Sequence, residues 1–152
     1  VTVGRRSVVR RIPRRSNSRE FPVYEARTEG VLVRVVANYL PDQSDPQECK
    51  YVWGYMVEIE NHGKIGLQLV SRHWIITDAR NRVEEVIAPG VVGEQPELAA
   101  GEAFRYSSAC PLSTDSGTMR GAYRMLTEDG ETFEAEIPEF SLHLPTARRA
   151  LH

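Results

Sequence analysis

The chain has 152 residues, of which 41% are hydrophobic and 26% are charged, and its formal net charge is −2. These values predict one soluble globular domain with enough chain to bury a core. No apolar run approaches the roughly 20 residues of a membrane-spanning helix, and the first residues lack the apolar core of a secretory signal, so we expect a cytoplasmic protein. The two cysteines, Cys49 and Cys110, have no CxxC spacing and are predicted to be reduced thiols.

The charge is distributed unevenly along the chain. Residues 1–20 contain seven arginines and one acid, Glu20, whereas residues 21–144 carry 10 basic and 20 acidic side chains. Because large apolar side chains are scarce before residue 21, we predict a disordered basic arm over 1–20, a folded domain over 21–144 and a disordered tail over 145–152. The arm could contact phosphate groups, but we expect no specific nucleic-acid partner and no membrane insertion.

From residue 23 onward, the chain shows the period-2 patterns that predict strands. Residues 31–40 are rich in valine and end in a turn at 41–46. In residues 51–61, aromatic and aliphatic side chains share one face. Glu58 and Glu60 lie on the other face, which is predicted to meet water.

Two apolar, β-branched segments, residues 69–77 and 83–87, flank a polar break at 78–81 and predict a β-hairpin. The first strand is expected to begin near residue 65 and to carry a bulge or bend near Ser71.

The second half of the chain predicts three more strands, over residues 103–110, 118–127 and 133–140, with Asp129-Gly130 as the hairpin turn between the last two. No segment shows a sustained 3.6-residue period. The chain is therefore predicted to be all-β, an immunoglobulin or fibronectin type III-like β-sandwich of seven to eight antiparallel strands. Its aromatic side chains fall mostly at inward positions and are predicted to form the core.

A series of short motifs also resembles a known family over about residues 22–143. The motifs are Tyr51-Val52-Trp53, Ile59-Glu60-Asn61, residues 69–78 (LVSRHWIITD), Val83-Glu84-Glu85-Val86, residues 89–96 (PGVVGEQP), Cys110-Pro111-Leu112, Ser116-Gly117-Thr118-Met119, residues 127–130 and Glu136-Ile137-Pro138. In this order they resemble the ApaG family. The resemblance implies a bacterial, cytoplasmic protein with a fibronectin type III-like fold and no established enzymatic activity. It also implies a link to cobalt and magnesium resistance, and in eukaryotes a role in protein interaction or ligand recognition.

The glycine-containing loop at residues 89–96 is the first candidate site. ApaG proteins often carry Gly-x-Gly-x-x-Gly here, but Ala88 replaces the first glycine, which leaves Gly90 and Gly93. That fingerprint binds pyrophosphate at a helix N-terminus, whereas Pro96 argues against a helix and Glu94 would repel phosphate. We predict that the glycines serve a tight loop. Nucleotide or pyrophosphate binding is the weaker alternative.

A divalent cation is the second candidate ligand. Oxygen ligands could come from Asp78, Glu84, Glu85 or Glu94, although acidic side chains also serve solubility. The four histidines show no HxH or HxxxH spacing. The metal therefore stays unknown, and no cofactor is predicted.

Arg72 and His73 are candidates on a strand, where neighbouring side chains face opposite ways. Arg72 shares the inward side of Trp74, so it is predicted to bend out at an edge or to pair with an acid. His73 shares the other face with Ser71. It is predicted to be either a structural histidine or a ligand contact.

The loop over residues 111–118 is dense in hydroxyl groups. Its side chains Ser113, Thr114, Ser116 and Thr118 could bind an anion or a peptide, although a turn built on Ser, Asp and Gly explains them equally well. No base adjacent in sequence supports a catalytic triad.

Our leading hypothesis is a non-enzymatic module that recognises a protein partner or a small ligand, with the loops at 90–96 and 111–118 at the edges of the site. Exposed sheet edges could accept a strand from a partner or from a second copy, so a homodimer is one expected form. The alternative is a metal-binding protein of cobalt or magnesium homeostasis.

Overall fold

Within the part of the chain that the structure describes, ten strands form two antiparallel sheets that pack face to face. The structure, a computed structural model, describes residues 8–12 and 22–145. The strands are β1 (Val8–Arg11), β2 (Tyr24–Thr28), β3 (Val31–Tyr39), β4 (Tyr51–Asn61), β5 (Leu67–Asp78), β6 (Val83–Pro89), β7 (Glu97–Leu98), β8 (Glu102–Leu112), β9 (Gly117–Thr127) and β10 (Thr132–Leu142).

The first sheet has the strand order β1-β8-β4-β3-β2 and the second β10-β9-β5-β6, with β7 pairing with the start of β5. Two short 3-10 helices, Pro41–Gln43 and Pro46–Glu48, are the only helices in the described residues. The prediction of an all-β, immunoglobulin-like sandwich is confirmed. The count exceeds seven to eight because β1 and the two-residue β7 were not predicted.

The core lies between the inner faces of the two sheets, where large side chains from both sheets meet. Phe140 of β10 is 1% exposed. Its ring centroid lies 6.0 Å from those of Tyr24, Tyr55 and Trp74, so one side chain joins β2 and β4 of the first sheet to β5 and β10 of the second. Burying a side chain of this size contributes about 1.5–3 kcal/mol from removal of apolar surface alone.

The predicted hairpin and its irregular strand are both present. β5 and β6 pair antiparallel from Ser71↔Pro89 to Thr77↔Val83. The pairing of β5 with β9 shifts register between Leu69 and Ser71, which places a bulge where the sequence predicted one. After this bulge, Arg72 and Trp74 face the other sheet while His73 faces outward.

The prediction that the Glu58 and Glu60 face of β4 meets water is wrong. Glu58 is only 5% exposed and Glu60 only 1%. Arg10 and Arg105 approach the Glu58 carboxylate at 3.2 and 3.4 Å, and His62 Nε2 lies 2.7 Å from Glu60 Oε1. Alternation identified the face correctly but could not show that Arg10 of β1, Arg105 of β8 and the adjacent His62 cover it. Buried carboxylates need such partners.

The disordered arm predicted over residues 1–20 is wrong for residues 8–11. These residues form β1, which pairs antiparallel with Glu102–Arg105 of β8. The Ile12 N–H continues the contact by donating to the Gly101 carbonyl oxygen at 3.0 Å. Pairing satisfies backbone groups of β8 that would otherwise lie at a bare edge. The rest of the arm, and residues 146–152 of the predicted tail, lie outside the described residues.

Candidate functional site

A cavity opens at the side of the sandwich where β6 is the edge strand of one sheet. On the facing sheet, β1 pairs only with the first residues of β8, so within the described residues the remainder of β8 has no strand on that side. The cavity between them, here called the edge cleft, has a volume of about 240 Å³. It is lined by Tyr55, Arg72, Trp74, Ile76, Glu84, Val86, Val91, Val92, Tyr106, Ser108, Ala109, Cys110, Pro111 and Met119.

Arg72 is the cation of the edge cleft. Its Nη1 donates to the carbonyl oxygens of Pro89 at 3.0 Å and Gly90 at 2.8 Å. Among the described residues no carboxylate forms an ion pair with Arg72, and no acceptor takes a hydrogen bond from its Nε or Nη2. The guanidinium thus lies at the open side of the sandwich with carbonyl groups as its partners. Of the two predicted placements, bending out at an edge or pairing with an acid, the described residues show no acid pair.

Three tyrosines supply hydroxyl groups near this cation. Tyr106 and Tyr123 are buried, and their hydroxyls hydrogen bond to each other. Burial raises the pKa of both phenols well above the ordinary value of 10.0, while Arg72 acts in the opposite direction. Burial also raises the pKa of Tyr55, against a hydrogen bond with the Ser108 side chain and the charge of Arg72. All three phenols are therefore neutral at physiological pH.

The sequence analysis placed these tyrosines in the core and missed their polar role. A signal was present, because tyrosine and not phenylalanine stands at all three inward positions. A buried phenol needs a hydrogen-bond partner. The clustering of the three hydroxyls beside Arg72 depends on contacts between β4, β5, β8 and β9 that are distant in sequence.

Cys110 contributes a thiol to the wall of the edge cleft. It is 4% exposed, whereas Cys49 is exposed. Burial and then the nearby Glu84 carboxylate raise the pKa of the Cys110 thiol to about 12. At neutral pH the group is therefore a thiol and a poor nucleophile.

Thiol titration tests this assignment. With an aromatic disulfide reagent at pH 8, the native protein is expected to release one equivalent rapidly from Cys49, and the second only after denaturation. Cys49→Ser should abolish the rapid phase and Cys110→Ser should preserve it. Two thiols reacting at the same rate in the native protein would contradict the burial of Cys110.

The glycine loop joins β6 to β7 and contains no helix. The N–H and carbonyl groups of Val91 and Glu94 are hydrogen bonded to each other at 2.8 Å in both directions. The central residues Val92 and Gly93 have φ of 42° and 81°, as in a two-residue hairpin turn. A Cβ on Gly90 (φ 61°) would lie 2.2 Å from the Glu94 carbonyl oxygen. Both glycines thus serve backbone geometry, and the loop lacks the helix N-terminus of a dinucleotide site.

The hydroxyl-rich loop after β8 packs against the β5–β6 turn. Ser113 Oγ accepts from Arg82 Nη2 at 2.9 Å, while Thr114 Oγ1 accepts from the Ala79 N–H at 3.1 Å and donates to the Ser116 carbonyl at 2.8 Å. Thr118 lies within β9, opposite Thr77 of β5. Ser113 and Thr114 thus hold two turns together, and none of the four candidates lines the edge cleft.

Asp78 anchors the same turn. Its carboxylate accepts hydrogen bonds from the backbone N–H groups of Arg80 and Arg82 and from Arg82 Nε. Desolvation raises the pKa of Asp78, but these donors and the Arg82 charge together bring it below the ordinary value of 3.8. Asp78 is therefore an anchor of this turn, ionised at neutral pH.

His73 lies on the outer face of β5, away from the edge cleft. Its Nε2 is 2.8 Å from Glu85 Oε2 on β6. Of the predicted site residues, the structure brings together Arg72 and Gly90, which are joined by a hydrogen bond at the rim of the cleft. Gly93 and Glu94 belong to the same loop, whereas His73 and the four hydroxyl residues lie elsewhere.

The described residues contain no group of three or more His, Cys, Asp or Glu side chains placed to hold a metal ion. In the same part of the chain, no helix has the length and apolar character needed to cross a membrane.

Fold and site together define an immunoglobulin-like β-sandwich protein with a cleft between its sheets on one open side. The family model described as the ApaG domain matches residues 41–127. Protein ApaG of Caulobacter vibrioides is 53% identical over 139 residues, covering 91% of this chain and 99% of that protein. Protein ApaG of Allorhizobium ampelinum is 52% identical over 130 residues, covering 86% and 100%. The chain belongs to the ApaG family.

Solved structures agree with this assignment. The crystal structure of a Bordetella pertussis protein described as ApaA superposes with a TM-score of 0.74 at 52% sequence identity, covering 76% of this chain and 94% of that chain. The sandwich therefore has an experimentally determined counterpart among its relatives.

Proposed function

We propose that the protein is a non-enzymatic recognition module that binds a small ligand in the edge cleft. The observation that carries this proposal is Arg72, whose Nη1 is held by two carbonyl oxygens at 3.0 and 2.8 Å at the wall of a 240 Å³ cavity. Aromatic and aliphatic walls with a few placed polar groups are the usual composition of a small-molecule site.

The chemistry of the lining supports binding over catalysis. The only thiol among its described lining residues, Cys110, has its pKa raised to about 12. Its serine, Ser108, is the hydrogen-bond partner of Tyr55, and none of the histidines that the structure describes lines the cleft. Covalent catalysis needs a nucleophile activated by a base or by a lowered pKa, and the lining offers neither.

A fragment screen by two-dimensional NMR tests the proposal. The chain has two tryptophans. Trp74 lines the cleft, whereas Trp53 does not. The Trp53 indole N–H donates to the His143 carbonyl oxygen at 2.9 Å. Fragments that bind the cleft should shift the Trp74 indole signal and leave that of Trp53 in place.

Two neighbouring serines provide matched variants for the screen. Ser108→Phe would fill the cleft and abolish binding. Ser107→Phe places the same side chain on the opposite face of β8 and should leave binding intact. A screen in which no fragment moves the Trp74 signal, or in which both variants bind equally, would refute a ligand site here.

A protein interface on β6 is a second candidate function. β6 is an edge strand whose outward side chains Val83 and Ile87 are 62% and 72% exposed. If two β6 strands paired antiparallel about Val86, Glu84 would face Ala88 and Glu85 would face Ile87, so no like charges would lie opposite. Sedimentation should then show a dimer that Ile87→Lys converts to a monomer. A wild-type protein that stays monomeric at high concentration would remove this candidate.

The role in cobalt or magnesium homeostasis stays a prediction from the family resemblance, since the described residues offer no cluster of metal ligands. Thermal unfolding with and without Mg²⁺ or Co²⁺ checks it, because a ligand that binds only the folded state raises the melting temperature.

A further inference from the structure

Some hydrogen-bond donors at the edge cleft have no acceptor among the described residues. Arg72 has five N–H groups, and the hydrogen bonds described for it, to the carbonyls of Pro89 and Gly90, both come from Nη1. Within the described residues, Nε and Nη2 have no acceptor. These two nitrogens form the side of the guanidinium that binds a carboxylate with two parallel hydrogen bonds.

The tyrosine pair leaves one more proton without an acceptor. Each phenol carries one O–H donor, and the hydrogen bond between Tyr106 and Tyr123 uses only one of the two. Within the described part of the chain, neither hydroxyl has another hydrogen-bond partner. A buried donor left unsatisfied carries a cost in stability. An acceptor supplied by a ligand would remove this cost.

The charges of the lining limit the charge of the ligand. Among the described residues of the lining, Arg72 is the only cation and Glu84 the only acid. Arg72 lies on β5 opposite Ala88, four residues along β6 from Glu84, which separates their backbones by about 13 Å. One cation can compensate one negative charge, and Glu84 near the mouth opposes a second.

The size of the edge cleft and the chemistry of its walls suit a ligand with an apolar body. Trp74, Val86 and Val92 provide aromatic and aliphatic walls. The volume of about 240 Å³ exceeds the roughly 150 Å³ of an apolar cavity that accommodates benzene. A benzene-sized group and a carboxylate together fit this space.

From these donors, charges and dimensions, we infer that the edge cleft takes a small organic monocarboxylate. Its carboxylate pairs with Arg72 Nε and Nη2, the spare tyrosine O–H serves as a further donor, and its apolar body packs on Trp74. This inference rests on the proposed function and specifies the class of its ligand.

Matched probes test the inference on the intact chain. Benzoate, benzamide and phenyl phosphate share one ring and differ in headgroup charge, and at pH 7 benzoate is fully ionised. Each is titrated while the Trp74 indole signal is followed. Benzoate should saturate the shift and bind at least about tenfold more tightly than benzamide, because hydrogen bonds to charged groups are the stronger ones.

Two arginine variants localise the charge effect. Arg72→Gln should weaken benzoate binding at least about tenfold and leave benzamide nearly unchanged. Arg124→Gln removes an exposed arginine that lies 3.4 Å from Glu134 on the outer face, and it should bind benzoate as the wild type does. If Arg72→Gln fails to fold, the comparison of benzoate with benzamide on the wild-type protein still tests whether the cleft prefers a carboxylate.

The outcomes separate the inference from the proposed function. Equal affinity for benzoate and benzamide, or tighter binding of phenyl phosphate than of benzoate, would overturn the monocarboxylate class while a ligand site remained. If none of the three probes moves the Trp74 signal, the inference is overturned. The proposed function fails only if the wider fragment screen is also negative.

Discussion

Phe140→Ala is expected to lower the free energy of unfolding by about 3–5 kcal/mol, the usual cost of removing a large aromatic side chain from a core. Phe140 is 1% exposed, and its ring lies 6.0 Å from those of Tyr24, Tyr55 and Trp74. Truncation would leave a cavity between the sheets that three rigid rings can fill only in part. It would also remove ring contacts worth about 0.5–1.5 kcal/mol each.

Chemical denaturation and thermal melting measure this effect, with an expected fall in Tm of roughly 10–15 °C. Phe140→Leu should lose clearly less stability because it keeps most of the buried apolar volume. Ile87→Ala, at a site that is 72% exposed on β6, should change stability by less than about 0.5 kcal/mol. If Phe140→Ala proved as stable as Ile87→Ala, the assignment of Phe140 to the centre of the core would be wrong.

Gly121→Ala is expected to destabilise the protein at or beyond the upper end of the range of about 1–3 kcal/mol typical of overpacking. Gly121 lies in β9 between Trp74 of β5 and Ile137 of β10. A Cβ there would lie 1.9 Å from the His73 carbonyl oxygen. Because the obstructing atom belongs to the backbone, the clash can be relieved only by separating β5 from β9, which carry Trp74 and Tyr123 into the core.

Gly54→Ala is the matched control, since Gly54 also lies inside a strand. Its Cβ would meet Leu40 Cδ1 at 3.3 Å, the end of a flexible side chain. Alanine there should change stability by less than about 1 kcal/mol, since replacing a strand glycine also removes its entropic cost. Equal melting temperatures for the two variants would show that β5 and β9 approach less closely at Gly121 than the structure indicates.

Local sequence pattern predicted those parts of the fold that local chemistry controls. The β5–β6 hairpin and the Asp129-Gly130 turn depend on residues close together in the chain, and both are present. The bulge beside Ser71 was also predicted, although it lies in the pairing of β5 with the distant β9. The register of β5 also placed Arg72 and His73 on opposite faces, as alternation requires.

The same patterns failed where a distant segment decides the outcome. Glu58 and Glu60 belong to a face that alternation marks as polar, yet Arg10, Arg105 and His62 cover them. The arginine-rich start of the chain has a composition typical of disorder, but at residues 8–11 pairing with β8 outweighs composition. The arginine partners of Glu58 and the strand that pairs with residues 8–11 lie dozens of residues away, whereas His62 directly follows β4.

The candidate site shows the same division. Arg72 and Gly90 could be selected from the sequence, but no sequence pattern joined Arg72 to the tyrosine hydroxyls. Tyr55, Tyr106 and Tyr123 lie on β4, β8 and β9, and the sequence alone showed only that they point inward.

The sequence by itself determined the all-β class, the family and the inward or outward direction of most side chains, because alternation and turn chemistry act over a few residues. Only the tertiary structure decided that the sandwich stays open beside β6, that Arg72 meets carbonyl groups there instead of an acid, and that tyrosine hydroxyls gather beside it. These features arise from how strands distant in sequence pair and how two sheets pack. Patterns over a few residues predict neither.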